Sequence, residues 1–353
     1  MKYTVVWQTE NSRNQDWIDE VFGPFIAEHV YDGKRELVLD HSILVEDFVY
    51  AKPIDYYTRF RGKDAFLATF QDEFFEFGLD VYRNFRGVFR AHWADVFNEK
   101  YLMKLPIGYT LGTRISDKSI LLPTTKRRYL WSFLGQTNKA SRPDMARELS
   151  RLEPHFFYPT DAVGGFAVYN RTSTGPRRFT RDEYGGFLQN SIFAPAPMGN
   201  VQVECYRPYE ALESGAIPIV EKRMTLDYYR MLLGDHPMPT VRSWAEARRL
   251  MTDLLKTPER LDELQSECLE WWSDYKKSYT QSVGEFLARR AIDSDPLGEL
   301  VTPWGQTRLW RYLELLRHHD LPATYRRVTT MVNRVLKTGK IRVAYTSKNR
   351  PVK

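Results

Sequence analysis

The sequence predicts an α/β protein of two Rossmann-like domains, each a parallel sheet covered by helices, facing a central cleft and followed by a helical C-terminal end. Three observations carry that expectation. The chain has 353 residues, which at roughly 100–200 residues per domain is about two domains. Short apolar runs with β-branched content alternate with helical patterns, as in a parallel sheet covered on both faces. A polar stretch, Asp117–Lys126, with Pro123 inside it, interrupts the series, and the same alternation then starts again. The division is an N-terminal domain over 1–125, a second domain over 126–285, and C-terminal helices with a basic tail over 286–353.

In the first domain Thr4–Gln8 reads as a strand and Thr9–Asn14 as a polar loop. Glu36–Leu39, Ser42–Val45, Ala65–Phe70, Val88–Arg90 and Leu102–Leu105 are further strand-like runs. The second domain opens with a strand over Arg128–Leu134 and a turn at Gly135-Gln136-Thr137-Asn138. Ser141 as N-cap and Pro143 in the first turn start a helix to about Leu152. Phe166–Tyr169 is a strand. Thr180-Arg181-Asp182-Glu183 has capping-box spacing and opens a helix toward Leu188. Ser191–Ala194 is a strand, Pro195–Asn200 a loop, Tyr206–Ser214 a helix ended by Gly215, and Ala216–Val220 the next strand. Helices follow at Trp244–Leu255, Pro258–Tyr275, Val283–Arg290, Thr307–Arg317 and Tyr325–Leu336.

Composition narrows the class. With 42% hydrophobic and 27% charged residues the chain is an ordinary globular one. Two cysteines, Cys205 and Cys268, cannot form a disulfide framework and lack zinc-ligand spacing, so a reducing compartment is expected. Met1–Gln8 runs directly into a strand with no signal-peptide pattern, and no window is apolar enough to cross a membrane, so a cytoplasmic location is expected. The net charge of +6 is uneven: from Arg308 onward twelve lysines and arginines face two acids, Glu314 and Asp320. The tail therefore holds more than the whole positive balance, and the body is mildly acidic. Basic domains throughout would suit a nucleic-acid protein; a local basic tail suits peripheral contact with an anionic membrane, so no nucleic acid is expected as partner.

The most informative stretch is Ser191–Val220, SIFAPAPMGNVQVECYRPYEALESGAIPIV. A buried strand ends in a loop with Pro195, Pro197 and Gly199, and a helix begins near Arg207. A helix N-terminus suits phosphate, Arg207 adds a fork of donors, and Glu210 can accept from two vicinal ribose hydroxyls. That set describes a nucleoside-diphosphate site. A plain strand–helix–strand unit with a solvated arginine and glutamate is the alternative that the residues alone leave open.

The string Arg207-Pro208-Tyr209-Glu210-Ala211 followed by Gly215-Ala216-Ile217-Pro218-Ile219 resembles the donor-site signature of exostosin-like glycosyltransferases of the family 47 type. Tyr184, Leu188, Ser191, Phe193, Pro195 and Gly199 are similar to the segment before that signature, and Arg128, Phe133-Leu134-Gly135 and Arg142 to the opening of the same domain. The likeness covers about Arg128–Tyr275, departing at Cys205, Ala216 and Ile219, where serine, cysteine and valine are frequent. More weakly, Phe70-Gln71-Asp72-Glu73, Tyr82, Val88, Arg90 and Leu105-Pro106-Ile107-Gly108-Tyr109 resemble the acceptor domain of ribitol-phosphate xylosyltransferase-like members. The resemblance implies a GT-B fold and an inverting, metal-independent transfer from a nucleotide sugar, by family habit a UDP-sugar with xylose the first candidate. The acceptor it implies is a growing glycan, as in polysaccharide biosynthesis, and no further cofactor is expected.

An inverting transfer needs a base for the acceptor hydroxyl and positive charge where the diphosphate leaves. Asp72, just past the Ala65–Phe70 strand, is the expected base, with Glu73 and then Asp47 as rivals and a helix N-cap as its structural alternative. Arg142 and Arg207 are the expected diphosphate ligands and Glu210 the ribose ligand; Gly199, Asn200, Arg128 and Gln136 are further donor-site candidates. Asp293-Ser294-Asp295 spells the Asp-x-Asp of metal-dependent transferases but precedes Pro296 and follows a basic helix, which reads as a surface turn. Asn170-Arg171-Thr172 fits a glycosylation sequon, and His318-His319 reads as a solvated helix end. Two other classes stay open: a basic-tailed nucleic-acid or membrane-surface binder, and another nucleotide-sugar enzyme such as an epimerase.

Overall fold

The computed structural model describes residues 1–33, 36–47, 52–70, 72–75, 79–160, 179–289, 300–302, 305 and 308–318. The first lobe holds β1 (Tyr3–Trp7), β2 (Ile26–Tyr31), β3 (Ser42–Glu46), β4 (Ala65–Thr69), β5 (Gly87–Arg90) and β6 (Leu102–Lys104), paired in parallel in the order β2-β1-β3-β4-β5-β6. Its helices are α1 (Gln15–Phe22), α2 (Ile54–Thr58) and α3 (Leu79–Tyr82). The second lobe holds β7 (Tyr129–Gly135), β8 (His155–Pro159), β9 (Ser191–Ala196), β10 (Ile217–Glu221) and β11 (Thr240–Val241), parallel in the order β11-β10-β9-β7-β8. Around it lie α4 (Arg142–Leu149), α5 (Arg181–Gln189), α6 (Arg207–Glu213), α7 (Tyr228–Leu233) and α8 (Trp244–Leu254). This is the two-domain GT-B arrangement that the resemblance implies.

Every residue of β3, β4, β5, β9 and β10 is buried. Central parallel strands are covered on both faces and read as continuous apolar runs, so these are the strands that the sequence reveals. The three it conceals, β2, β8 and β11, are edge strands. In β2, Glu28 and His29 break the apolar run; β8 is only half-buried along its length. Glu36–Leu39 forms no strand; Leu37, Val38 and Leu39 pack from a loop against the core. The capping box at Thr180 is present. Ser141 is not a side-chain cap: its hydroxyl donates to Glu221 Oε2 at 2.8 Å.

Two expected helices, Pro258–Tyr275 and Val283–Arg290, are one helix of 31 residues, α9 (Pro258–Ala288). At 1.5 Å per residue it is about 46 Å long, enough to run along both lobes. Its first half belongs to the second lobe: Gln265 Nε2 donates to Gly215 O at 2.7 Å and Trp272 Nε1 to Glu213 Oε1 at 2.8 Å. Its second half packs on the first lobe. Trp272 and Tyr279 stack on Trp17, Tyr279 donates to Lys104 O at 2.7 Å, and Phe286 lies 4.9 Å from Phe89. The boundary expected at 285 therefore falls inside a helix that ties the lobes together. The serine- and lysine-rich turn Lys276–Ser282 reads as a break only because its outer face is polar.

The last helix among the described residues, α10 (Arg308–Arg317), seats Trp310 against Phe75 and Phe97 of the first lobe. His318, expected to be solvated, is fully buried and accepts from Val203 N at 3.1 Å. The strand expected at Phe166–Tyr169, the sequon at Asn170, the Asp293-Ser294-Asp295 triplet, His319, the helix expected at Tyr325–Leu336 and the tail lie outside the described residues.

Candidate active site

In open parallel sheets ligands bind beyond the carboxyl ends of the strands, where the strand order reverses. The reversals here fall between β1 and β3 and between β7 and β9. Contacts join the two edges: Tyr206 OH donates to Asn14 Oδ1 at 2.9 Å, Gln202 Nε2 to Glu73 O at 2.6 Å, and Thr110 Oγ1 to Glu210 Oε1 at 2.7 Å. The site is built where these edges meet.

The first lobe brings carboxylates. Asp72, the expected base, is 8% exposed, and its Oδ2 accepts from Arg90 Nη2 at 2.8 Å. Arg90 is itself buried, with its guanidinium 4.4 Å from the Phe97 ring centre. A carboxylate oxygen held this way must give up a charge-assisted bond before it receives a proton. Glu73, its rival, faces Lys139, Arg13 and Arg142. Burial pushes its carboxyl above the ordinary carboxylate value, against the opposing pull of those three cations. Asp47 accepts from Thr9 Oγ1 at 3.1 Å; burial raises its pKa while bonds from Ser12 and Thr9 lower it. Asp72 is thus held within its own lobe by Arg90, whereas Glu73, whose backbone carbonyl accepts from Gln202, lies under the pull of second-lobe cations.

The second lobe brings cations. Arg142 opens α4 and joins two loops, donating from Nη1 to Gln136 O at 3.0 Å and from Nε to Met198 O at 3.1 Å. Lys139 Nζ donates to Asn200 Oδ1 at 2.6 Å, which puts Asn200 and Gln136 on the same rim. Arg207 opens α6, donates from Nη2 to Leu134 O at 2.7 Å and lies 4.1 Å over the Phe133 ring. Its buried Nε has no hydrogen-bond partner among the described residues. Gly135 allows this approach, since a Cβ there would meet Arg207 Nη2 at 3.2 Å. The sequence points to amide donors at the helix end, but Pro208 removes one of them. The guanidinium, more than the helix terminus, carries the positive charge.

Glu210 is 6% exposed and accepts from two hydroxyls, Thr110 at 2.7 Å and Tyr184 at 2.6 Å. A carboxylate has about four acceptor positions, so each oxygen keeps capacity for another hydroxyl. Gly199 is a glycine for packing reasons: a Cβ would come within 2.5 Å of Glu204 O. Arg128 corrects the expectation. It precedes β7 at the amino edge of the sheet, exposed, with its guanidinium over Tyr129. The seven residues of β7 carry it about 20 Å from the cleft edge.

Two buried carboxylates brace the site. Glu221 Oε2 accepts from Ser141 Oγ at 2.8 Å, Met198 N at 2.9 Å and Arg223 Nη2 at 3.0 Å, so it pins the loops after β7 and β9 to each other. Glu204 joins the lobes, accepting from Ile107 N at 3.0 Å, Tyr209 OH at 2.7 Å and Tyr228 OH at 3.0 Å; burial raises its pKa to about 7. Among the described residues no group of three or more His, Cys, Asp or Glu could hold a metal ion.

The model of the RXYLT1 C-terminal domain matches residues 113–291, half of the chain, including the whole second-lobe side of the cleft. The chain belongs to that family. It is a glycosyltransferase of the nucleotide-sugar type. No curated protein sequence matches the glycosyltransferase. Similar solved structures include T4 phage BGT in complex with UDP and Mn2+, 11% identical, covering 82% of this chain and 100% of that one at a TM-score of 0.46. A DNA-modifying β-glucosyltransferase, solved with and without uridine diphosphoglucose, is 13% identical over 82% and 100% at 0.47. An α1,3-fucosyltransferase is 11% identical over 83% and 91% at 0.43. The family match, not these likenesses, carries the assignment.

Sequence reasoning missed Arg13, Lys139, Glu204 and Glu221 in the glycosyltransferase. Arg13 and Lys139 were within reach, because each lies in a polar loop just past a strand at an order reversal. Glu204 and Glu221 carry no such mark: one precedes a helix, the other ends an apolar strand, and only the tertiary fold gives them partners.

Proposed function

We propose that the glycosyltransferase moves a sugar from a UDP-sugar, UDP-xylose first among them, to a hydroxyl of a glycan acceptor, with inversion and without a metal ion. Glu73 takes the acceptor proton as the oxygen attacks the anomeric carbon. Burial makes its carboxylate a stronger base than a solvated one, which favours proton removal near neutral pH. Lys139, Arg142 and Arg207 neutralise the leaving diphosphate, the electrostatic part of the catalysis. Glu210 accepts from the ribose hydroxyls, with Gln136 and Asn200 lining the rim. The observation that carries the reading is the contact of the Glu73 backbone with Gln202 of the second lobe, which sets Glu73 where Lys139 and Arg142 pull on its carboxyl.

The test is a thermal-shift screen of nucleotide sugars, followed by product analysis with glycan acceptors. A ligand at 100 times its dissociation constant stabilises by about 2.7 kcal/mol, so the true donor should stand out. An anomeric configuration in the product opposite to the donor's, and turnover persisting with chelator, are expected. Retention of configuration would remove the single-displacement mechanism, and loss of activity on chelation would restore a metal. Interconversion of the nucleotide sugar without transfer would replace the reading with an epimerase.

A further inference from the structure

The helix α10 has two apolar faces, and only one of them is used within the molecule. Trp310 is buried, its ring centre 5.1 Å from that of Phe75 and 5.8 Å from that of Phe97. On the other side Leu309, Tyr312, Leu313 and Leu316 are 56%, 57%, 43% and 48% exposed. Their spacing of three, one and three residues puts them on one helical face, a stripe a folded monomer has no reason to keep in water. At the helix end Arg317 Nη2 reaches Thr225 O at 3.4 Å, which brings alongside it the loop bearing Met224, 86% exposed.

Charge says what this face meets. Arg317 is neutralised locally by Glu314 at 2.8 Å and Asp95 at 3.5 Å. The sequence that follows is not neutral: residues 319–353 contain nine lysines and arginines against one acid, Asp320. We infer that α10 is a peripheral anchor whose exposed stripe lies in the headgroup region of an anionic bilayer, the excess of basic residues in the sequence after it selecting an anionic surface over a neutral one. Either element alone gives marginal attachment; an apolar face and a polybasic segment together give stable attachment. A polynucleotide would use the basic residues and gain little from three leucines and a methionine, so the apolar stripe decides between the two anionic surfaces. The anchor also sits beside the cleft. Phe75 is two residues past Glu73, and Val203, which donates to His318, is next to Gln202, which donates to the Glu73 carbonyl.

The test is co-sedimentation of the full chain with phosphatidylglycerol–phosphatidylcholine vesicles and with phosphatidylcholine alone. Binding to the anionic vesicles only is expected, weakened roughly tenfold or more by Leu313→Glu with Leu316→Glu and by salt. Leu309→Trp supplies a second readout that leaves the buried face untouched: over the nine native tryptophans, the emission difference between the variant and wild type should shift to the blue on adding anionic vesicles. A chain that stays in the supernatant, binds both vesicles equally, or binds independently of the two leucines overturns the inference. So does an emission spectrum of the Leu309→Trp variant that vesicles leave unchanged. A concentration-dependent dimer abolished by the same leucine substitutions would assign the stripe to a second copy, and oligonucleotide binding with vesicles ignored would assign the tail to nucleic acid; both overturn it.

Discussion

The two facing edges of the cleft are built on the same parallel-sheet topology and carry largely opposite charge, Arg13 past β1 and Glu210 on α6 being the exceptions. The first lobe ends its strands in Glu46, Asp47, Asp72 and Glu73; the second follows its own with Lys139, Arg142 and Arg207. The acids are mostly absorbed by their own lobe, Asp72 by Arg90 and Glu46 by Gln8 and Tyr57. Arg142 donates to the Gln136 and Met198 carbonyls and Lys139 to the Asn200 side chain, contacts that hold both cations at the rim. On the function proposed above, Glu73 on one edge serves proton transfer, and Lys139, Arg142 and Arg207 on the other serve the departing diphosphate.

The adjacent pair Asp72 and Glu73 is where that contrast breaks most easily. Glu73→Gln should cut kcat by roughly 10²–10⁴ with nucleotide affinity and melting temperature close to wild type. The wild-type rate should rise with pH through a carboxyl pKa above the ordinary range, and that limb should vanish in the variant. Asp72→Asn should instead act on the fold, because it leaves Arg90 buried without its ion-pair partner, a loss of about 3–5 kcal/mol measurable by urea denaturation. A stable but inactive Asp72→Asn would return the base to Asp72.

The edges oppose each other only while the lobes stay joined, and Glu204 makes that junction pH-dependent. Its carboxyl is raised from 4.5 to about 7, chiefly by desolvation. The folded state therefore binds its proton more tightly than the unfolded state does, and stability falls as pH rises from 4.5 through 7. At about 1.36 kcal/mol per pKa unit the full penalty above pH 7 is ~3 kcal/mol. Glu204→Gln removes this titration, so denaturation at pH 5 and pH 8 should give a flatter dependence. Part of the slope should persist, since Glu46 is also raised to about 7. An unchanged slope would mean that Glu204 is ionised without penalty.

Arg207→Ala sharpens the basic edge. A lost charge-assisted bond should cost about 1.5–3 kcal/mol in nucleoside-diphosphate affinity by calorimetry. Equal affinity in the variant would move the diphosphate away from α6.

Much of this architecture is legible in the sequence because central parallel strands bury both faces and show as apolar runs, and because Thr180 and Glu183 spell their cap. The candidate site is marked in the sequence by Arg207 and Glu210, whose spacing resembles a known signature, and by Arg142, similar to the opening of the same domain. What stays hidden depends on long-range partners. The Lys276–Ser282 turn of α9 looks like a break until Trp272, Tyr279 and Phe286 are seen against the other lobe. Asp72 and Glu73 are indistinguishable in sequence, and Arg90, 18 residues on, separates them.

Arg128 provides the smallest effect and the cleanest control for the comparison. Both it and Arg142 flank β7, one before the strand and one after its loop, so they differ in which edge of the sheet they occupy and not in charge. Ligands collect at the carboxyl edge because the loops there converge and their amides and side chains face the crevice; at the amino edge Arg128 lies over Tyr129 in solvent. Arg128→Ala should therefore change nucleotide affinity by less than about 0.5 kcal/mol, the range of ordinary surface substitutions. Arg142→Ala should lose the diphosphate contact and also loosen the two loops it joins. If the two variants lost equal affinity, distance to the carboxyl edge would not be what selects the functional arginines. The opposed-edge account of the site would then fail at its base.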